Sequence, residues 1–302
     1  MKEGPMASLE VIDFSELHGM QAFVESLHAH GFAVLKNHGI DLNLLHKVYA
    51  IWQTFFKSEE KEHYTFKHET NAGFFSTKIS EKAKGETVLD LKEYFHFYPK
   101  SNYYPEYTKD LTTILMNQML ALGTTMLKAI DHNAPADVRA QFSMPLEQMI
   151  KRGNYHLFRP IHYPPIQGTE PVGAIRAAAH TDINMLTLLF PSSSKGLQLQ
   201  LKTGEWMEVP ADQDWLVVNI GDMLDECSGG YYPATLHRVI KPEGEAAGQS
   251  RLSMPYFLHA DDAVVLSKRH TAQSYRHERF VELGVYTKDQ VISLDADEER
   301  LL

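Results

Sequence analysis

Near residue 150 the spacing of apolar residues changes from a helical period to a period of two, and that switch limits the folds open to this chain more than any other feature. Upstream, Met20, Phe23, Val24 and Leu27 recur at the spacing of one helical face, and Gly31 stands where a C-terminal cap belongs. A short strand over 32–35 is expected next. Asp41 then offers an N-cap to a second helix whose Leu45, Val48, Trp52 and Phe55 form one stripe ending near Lys57. Leu111, Leu115, Met119, Leu122 and Met126 predict a third helix from about 108 to 130. Between the second and third, 61–105 has no clean period and reads as a long loop or ragged strands, a kind of segment that often carries function.

Downstream, Leu197, Leu199 and Leu201 alternate with Gln198, Gln200 and Lys202, and Thr203 and Gly204 supply a turn. Trp206 starts a return strand to Val209, so the segment predicts a hairpin. Apolar runs over 215–220, stopped by Gly221, and over 251–258 predict further strands. Many short strands with Gly and Pro turns point to a jelly roll or a related sandwich. Past Asp262 the charged tail reads as helical. No repeat, low-complexity tract or linker divides the chain. A mainly helical N-terminal region (1–148), a jelly-roll core (149–262) and a helical tail (263–302) are therefore expected to form one integrated unit.

Charge and cysteine content narrow the chemistry. Twenty-nine Lys and Arg against 39 Asp and Glu leave a formal charge of -10, which disfavours nucleic acid or an anionic membrane as partner. Cys227 is the only cysteine, so neither an intrachain disulfide nor a thiolate cluster can form, and a metal must be held by nitrogen and oxygen. No apolar run approaches the roughly 18 residues of a membrane span. The first residues carry Glu3, Glu10 and Asp13 in place of an apolar signal core, so a cytoplasmic protein is expected.

With 16 histidines, chance patterns must be weighed. His-x-Asp occurs twice, as His180-Thr181-Asp182 and as His259-Ala260-Asp261. On a strand, residues two apart share a face, so either pair could present an imidazole and a carboxylate to one ion. A facial triad of two histidines and one carboxylate leaves open positions on iron, and it needs a second histidine from a neighbouring strand. For His180 and Asp182, His237 follows at a distance that accommodates a hairpin and a strand. The other pair is followed only by His270 and His277 in the tail, which marks it as accidental. Beyond His237, Arg251 and Ser253 form the only Arg-x-Ser, placing a guanidinium and a hydroxyl on one strand face where they can grip a carboxylate.

The ordered series His-x-Asp, His, Arg-x-Ser resembles the iron(II)- and 2-oxoglutarate-dependent dioxygenases of the isopenicillin N synthase-like branch. His162-Tyr163-Pro164-Pro165, Leu186-Thr187-Leu188-Leu189, Gly196-Leu197-Gln198, Asn219-Ile220-Gly221-Asp222 and Leu236-His237-Arg238-Val239 extend the likeness. Asn37-His38-Gly39-Ile40 and Phe55-Phe56 followed by Glu60-Lys61 carry it into the N-terminal half. It implies a mixed α and β fold: a double-stranded β-helix with the N-terminal helices packed on its outside. It also implies iron(II) on His180, Asp182 and His237, and a clamp of Arg251, Ser253 and Tyr163 on the far carboxylate of 2-oxoglutarate. The activity implied is use of O2 to couple decarboxylation of 2-oxoglutarate to oxidation, by default hydroxylation, of a small molecule. Two alternatives stay open: an oxidase of the same branch that uses no 2-oxoglutarate, and a jelly-roll metal- or ligand-binding protein without turnover.

Arg176 is two and four residues from Ala178 and His180, so a regular strand would aim it into the barrel near the metal. A salt bridge to Asp90 or Glu93, or an anionic group of the substrate, would then have to meet it. The other notable residues read as structural. His28 and His30 lie at a helix end, where the dipole suits them. His38 belongs to a turn, and His156 and His162 lack a carboxylate at ligand spacing. Tyr94 to Tyr98 is core, and Asn219 to Asp222 is a turn fixed by Gly221 and Asp222.

Overall fold

The computed structural model describes residues 8–67, 70–77, 90–153, 155–168, 170, 175–191, 196–241 and 247–282. Helices α1 (Gly19–His30) and α2 (Leu42–Lys57) form on the expected stripes, and their ends follow local chemistry. Gly31 takes the left-handed conformation, φ 68°, and its amide returns to the Leu27 carbonyl, closing α1. The Asp41 carboxylate accepts from the amides of Asn43 and Leu44, opening α2. Helix α3 (Glu106–Asn133) overruns its expected span at both ends, and α4 (Ala136–Arg139) and α5 (Asp222–Cys227) are short. The tail is helical only in α6 (Ala272–Glu282) among its described residues. The stretch before α6 turns back, with the Ala272 amide donating to the Val264 carbonyl, and 283–302 lie outside the described residues.

The strands are β1 (Val11–Asp13), β2 (Phe32–Lys36), β3 (Gly73–Phe75), β4 (Glu93–His96), β5 (Leu157–Phe158), β6 (Ile161–Tyr163), β7 (Ala177–His180), β8 (Leu186–Phe190), β9 (Leu197–Gln200), β10 (Trp206–Glu208), β11 (Leu216–Ile220), β12 (His237–Val239) and β13 (Arg251–Leu258). The larger sheet runs β1-β2-β11-β8-β13-β6-β4-β3, with β5 also on β13, and the smaller runs β10-β9-β12-β7. The irregular stretch after α2 thus contributes two strands to the edge of the larger sheet, while 78–89 lie outside the described residues.

Alternation sorts the larger sheet's side chains to two faces. Phe32, Val34 and Val217 meet Leu197, Leu199 and Val239 of the smaller sheet in the barrel interior. Leu35, Leu188, Val218, Met254 and Tyr256 point the opposite way, into the core shared with α1, α2 and α3. The architecture is a mixed α and β jelly roll with its N-terminal helices on the outer face of the larger sheet.

Candidate metal centre

His180 closes β7 and His237 opens β12, and the two residues are direct cross-strand partners with ring centroids 4.4 Å apart. Asp182 lies beyond the end of β7, in a turn, so strand parity does not deliver its carboxylate. The turn itself does. The Asp222 amide donates to the Asp182 carbonyl at 2.7 Å, and the Gly221 amide to that of Met185 at 3.2 Å. A Cβ on Gly221 would fall 2.1 Å from the Asn184 carbonyl oxygen, so only glycine lets the two turns approach this closely. Asp182 Oδ1 then stands 3.8 Å from His180 Nε2 and 3.9 Å from His237 Nε2.

Backbone carbonyls set both imidazoles. Nδ1 of His180 meets the Ala178 carbonyl at 2.8 Å, and Nδ1 of His237 meets that of Thr235 at 3.0 Å. A carbonyl only accepts, so each Nδ1 carries a proton and each Nε2 is the atom turned toward Asp182. His180 has 42% of its side chain open, but protein crowds its remaining faces. That desolvation, followed by the charge of His237, lowers its pKa to about 4 and keeps the ring neutral. Burial alone would raise the Asp182 pKa. The two imidazoles and hydrogen bonds from Asn219 and Thr187 outweigh it and hold the carboxyl below its usual range. Asn219 Nδ2 and the Thr187 hydroxyl both donate to Oδ2, at 2.8 and 2.6 Å, leaving Oδ1 aimed at the imidazoles. Two imidazole Nε2 atoms and one carboxylate suit a hard-to-borderline divalent ion such as iron(II). Among the described residues, this is the one group of three histidine, cysteine or acidic side chains that converges so.

On β13, Arg251 and Ser253 share one face, and register places Arg251 opposite Tyr163 of β6. The Arg251 guanidinium lies 5.5 Å from the Tyr163 ring centroid, and both residues are buried. Burial lowers the Arg251 pKa, while the phenols of Tyr163 and Tyr49 oppose the shift. Tyr49 comes from α2, a proximity for which the sequence carries no signal. Asn219 is a second omission: it reads as part of a turn, yet it orients the carboxylate. Alternation within 216–220 does put Asn219 on the barrel face with Val217, and a lone amide there was the available clue.

The second His-x-Asp separates. Asp261 spends its carboxylate on the amides of Arg152 and Gly153, and the His259 amide donates to buried His156. His28 stacks on Tyr231 with ring centroids 4.0 Å apart, and His38 accepts from the Ile40 amide within its turn while its Nε2 meets the distant Asp214 carbonyl. His162 does meet a carboxylate, Glu93 at 2.8 Å, which also binds Lys61. Arg176 keeps part of the expectation and loses part: it is buried, with its guanidinium 5.6 Å from the Tyr163 ring centroid, but not by regular strand parity and not in a salt bridge. It precedes β7 in a bend, and a β-bulge against β12 breaks the parity argument, so that Ala177 pairs with Val239 in the barrel interior. Neither expected salt bridge forms: Asp90 pairs with Lys92 at 2.9 Å, and Glu93 with Lys61 and His162.

A barrel that brings two histidines and an aspartate to one mouth defines the class of mononuclear non-haem metal oxygenases. The sequence profile of the 2OG-Fe(II) oxygenase superfamily matches residues 148–260, and that of the non-haem dioxygenase N-terminal region, described from morphine synthesis, matches 9–118. The chain belongs to the 2OG-Fe(II) oxygenase superfamily: it is an oxidoreductase of the dioxygenase type that uses iron(II), 2-oxoglutarate and O2. It is similar to 1-aminocyclopropane-1-carboxylate oxidase 5 of Arabidopsis thaliana, 29% identical over 78% of this chain and 79% of that one. Flavanone 3-dioxygenase 2 of rice is 28% identical over 82% and 71%. Among solved structures, a candidate oxygenase from Shewanella oneidensis is 45% identical, with TM-score 0.83, covering 92% of this chain and all of that one. No helix among the described residues is long and apolar enough to cross a membrane.

Proposed function

We propose that His180, Asp182 and His237 hold the iron, that Arg251, Ser253 and Tyr163 receive the far carboxylate of 2-oxoglutarate, and that a small organic molecule is hydroxylated at the open side of the site. The observation that carries this reading is the convergence of three ligand atoms with both Nδ1 groups already tied to carbonyls. Iron(II), when bound there, supplies activation of O2 coupled to loss of CO2 from the co-substrate. The chain's part is positional. Ala178 and Thr235 fix the imidazole tautomers, Asn219 and Thr187 fix the carboxylate, and the clamp sets the co-substrate's direction. We read the helical region, barrel and described tail as one unit, since α1, α2, α3 and the larger sheet share a core.

Succinate released from 2-oxoglutarate under air, dependent on iron and lost in Asp182→Ala, is the test. Oxidation of a substrate with no 2-oxoglutarate requirement would favour the oxidase alternative, and metal binding without any turnover would favour a binding protein. Arg251→Lys should raise the 2-oxoglutarate requirement, because an ammonium does not reproduce the planar fork of a guanidinium.

A further inference from the structure

Arg176 is among the largest side chains withdrawn from solvent, with 1% of its surface exposed, and its neighbours do not account for its charge. Among the described residues no carboxylate stands at ion-pair distance from it. Nη2 donates one hydrogen bond, to the Gln249 carbonyl at 3.2 Å, and Nε has no partner. Its guanidinium lies 5.6 Å from the centroid of the Tyr163 ring, the ring that Arg251 approaches to 5.5 Å. Two buried cations thus flank one phenol. Desolvation, and then the charge of Arg251, lower the Arg176 pKa to about 10.

The local contacts are set against the cost of burying the charge. An uncompensated buried charge costs several kcal/mol or so. A cation over an aromatic ring returns about 0.5–2 kcal/mol, and one hydrogen bond from a charged donor about 1.5–3 kcal/mol. Together these return about 2–5 kcal/mol, but Nε keeps no partner among the described residues, so an anion that entered here would meet an unused donor of a buried cation. Position says which anion. Arg176 precedes His180 by four positions, roughly 13 Å of extended chain at about 3.3 Å per residue, and the Gln249 carbonyl ties it to the segment that leads into Arg251. It therefore sits toward the clamp end of the site, away from the metal end where a prime substrate must react.

We infer that Arg176 is a second cation of the co-substrate site, meeting the far carboxylate of 2-oxoglutarate together with Arg251, so that the site selects 2-oxo acids ending in a carboxylate over those ending in an alkyl group. The inference rests on the proposed Arg251 clamp.

The test uses the full chain loaded with manganese(II) and titrated calorimetrically without O2, with 2-oxoglutarate and with 2-oxopentanoate, which lacks the far carboxylate. Arg176→Met should weaken 2-oxoglutarate binding at least about tenfold, the scale of one charge-assisted contact, with manganese and 2-oxopentanoate affinities unchanged. Arg176→Lys should recover part of the loss. If Arg176→Met binds 2-oxoglutarate as the wild type does while Arg251→Met does not, this inference falls and the clamp stands. If the wild type fails to bind 2-oxoglutarate, or Arg251→Met binds it normally, the clamp itself is wrong and the inference goes with it. Should Arg176→Met not fold, Arg176→Gln, which keeps a donor for the Gln249 carbonyl, is read in the same way. Equal loss of manganese and both acids in that variant would mark a scaffold residue and overturn the inference.

Discussion

The two sheets of the barrel are built from different sequence patterns and contribute different parts of the site. The smaller sheet's outer face is only partly covered, and β9 shows it: Leu197 and Leu199 are buried in the barrel, Gln198 is covered at its bond to Arg238, and Gln200 is partly open. The larger sheet is covered on both faces, by the smaller sheet and by the helices, and every residue of β11 is buried. His180 and His237 come from the smaller sheet, the wall with access to the outside. Thr187, Asn219, Tyr163, Arg251 and Ser253 come from the larger one. The two imidazoles stand on the thin wall, and the hydrogen-bonding and charged groups that orient the Asp182 carboxylate or make up the proposed clamp stand on the thick one, where hydrogen bonds and charges are screened least.

The largest effect expected from breaking this division is at the junction of the walls. Asp182→Ala should abolish iron binding or weaken it severely and stop turnover, measured by metal content after dialysis and by succinate release. Asp261→Ala should leave both intact, although it removes the acceptor for the Arg152 and Gly153 amides and should lower stability. The opposite pattern would move the centre to the second His-x-Asp and dissolve the comparison.

The thick wall should also carry the main acid sensitivity of the fold. His156 is buried on its helix side near Tyr256, and burial lowers its pKa to about 4 although the Ile150 carbonyl opposes the shift. His259 beside it is held well below the usual range by burial and by the charge of Arg276. The unfolded chain takes up a proton below pH 6.5, whereas folded His156 does not until about pH 4. Stability is therefore full above 6.5 and falls as the pH drops toward 4, by about 3 kcal/mol for this one group at 1.36 kcal/mol per unit. Urea midpoints at pH 7 and pH 5 should show the slope, and His156→Gln should flatten it. A slope unchanged in that variant would assign the acid sensitivity to other groups.

Next in size, Asn219→Ala should cost about 10–100-fold in metal affinity, because the carboxylate loses one of the two donors that aim it. A metal affinity equal to wild type would mean that the Thr187 hydroxyl and the turn suffice, and that the thick wall supports the carboxylate less than its geometry indicates.

The fold and the three converging residues were legible for one physical reason: they depend on local period and order. Helical stripes, the Asp41 and Gly31 caps and the 197–209 hairpin are local patterns, and the His-x-Asp, His, Arg-x-Ser series is an order of residue types that can be read along the chain. Parity arguments failed where the strand was irregular. Asp182 arrives by a turn that Gly221 permits, and the bulge in β7 shifts Arg176 out of phase. Contacts between distant elements, such as Tyr49 beside Arg251 or Glu93 with His162, have no local signature at all.

The smallest expected effect isolates the sheets from the chemistry. Val218 on β11 is fully buried on the helix side, and a threonine side chain there keeps the shape but adds a hydroxyl. A buried hydroxyl without a partner costs about 1–3 kcal/mol, so Val218→Thr should lower the urea midpoint with an unchanged slope. Gln200 on β9 points outward, and its side chain bonds the Gly204 carbonyl of its own hairpin. Gln200→Thr should move stability by less than about 0.5 kcal/mol, since β-branched residues suit a half-exposed strand. The two variants install the same side chain on neighbouring layers, so their difference measures the second covered face and little else. Equal midpoints would mean that the hydroxyl introduced by Val218→Thr finds a carbonyl in the helical core, and that the thick wall is drier in appearance than in energy.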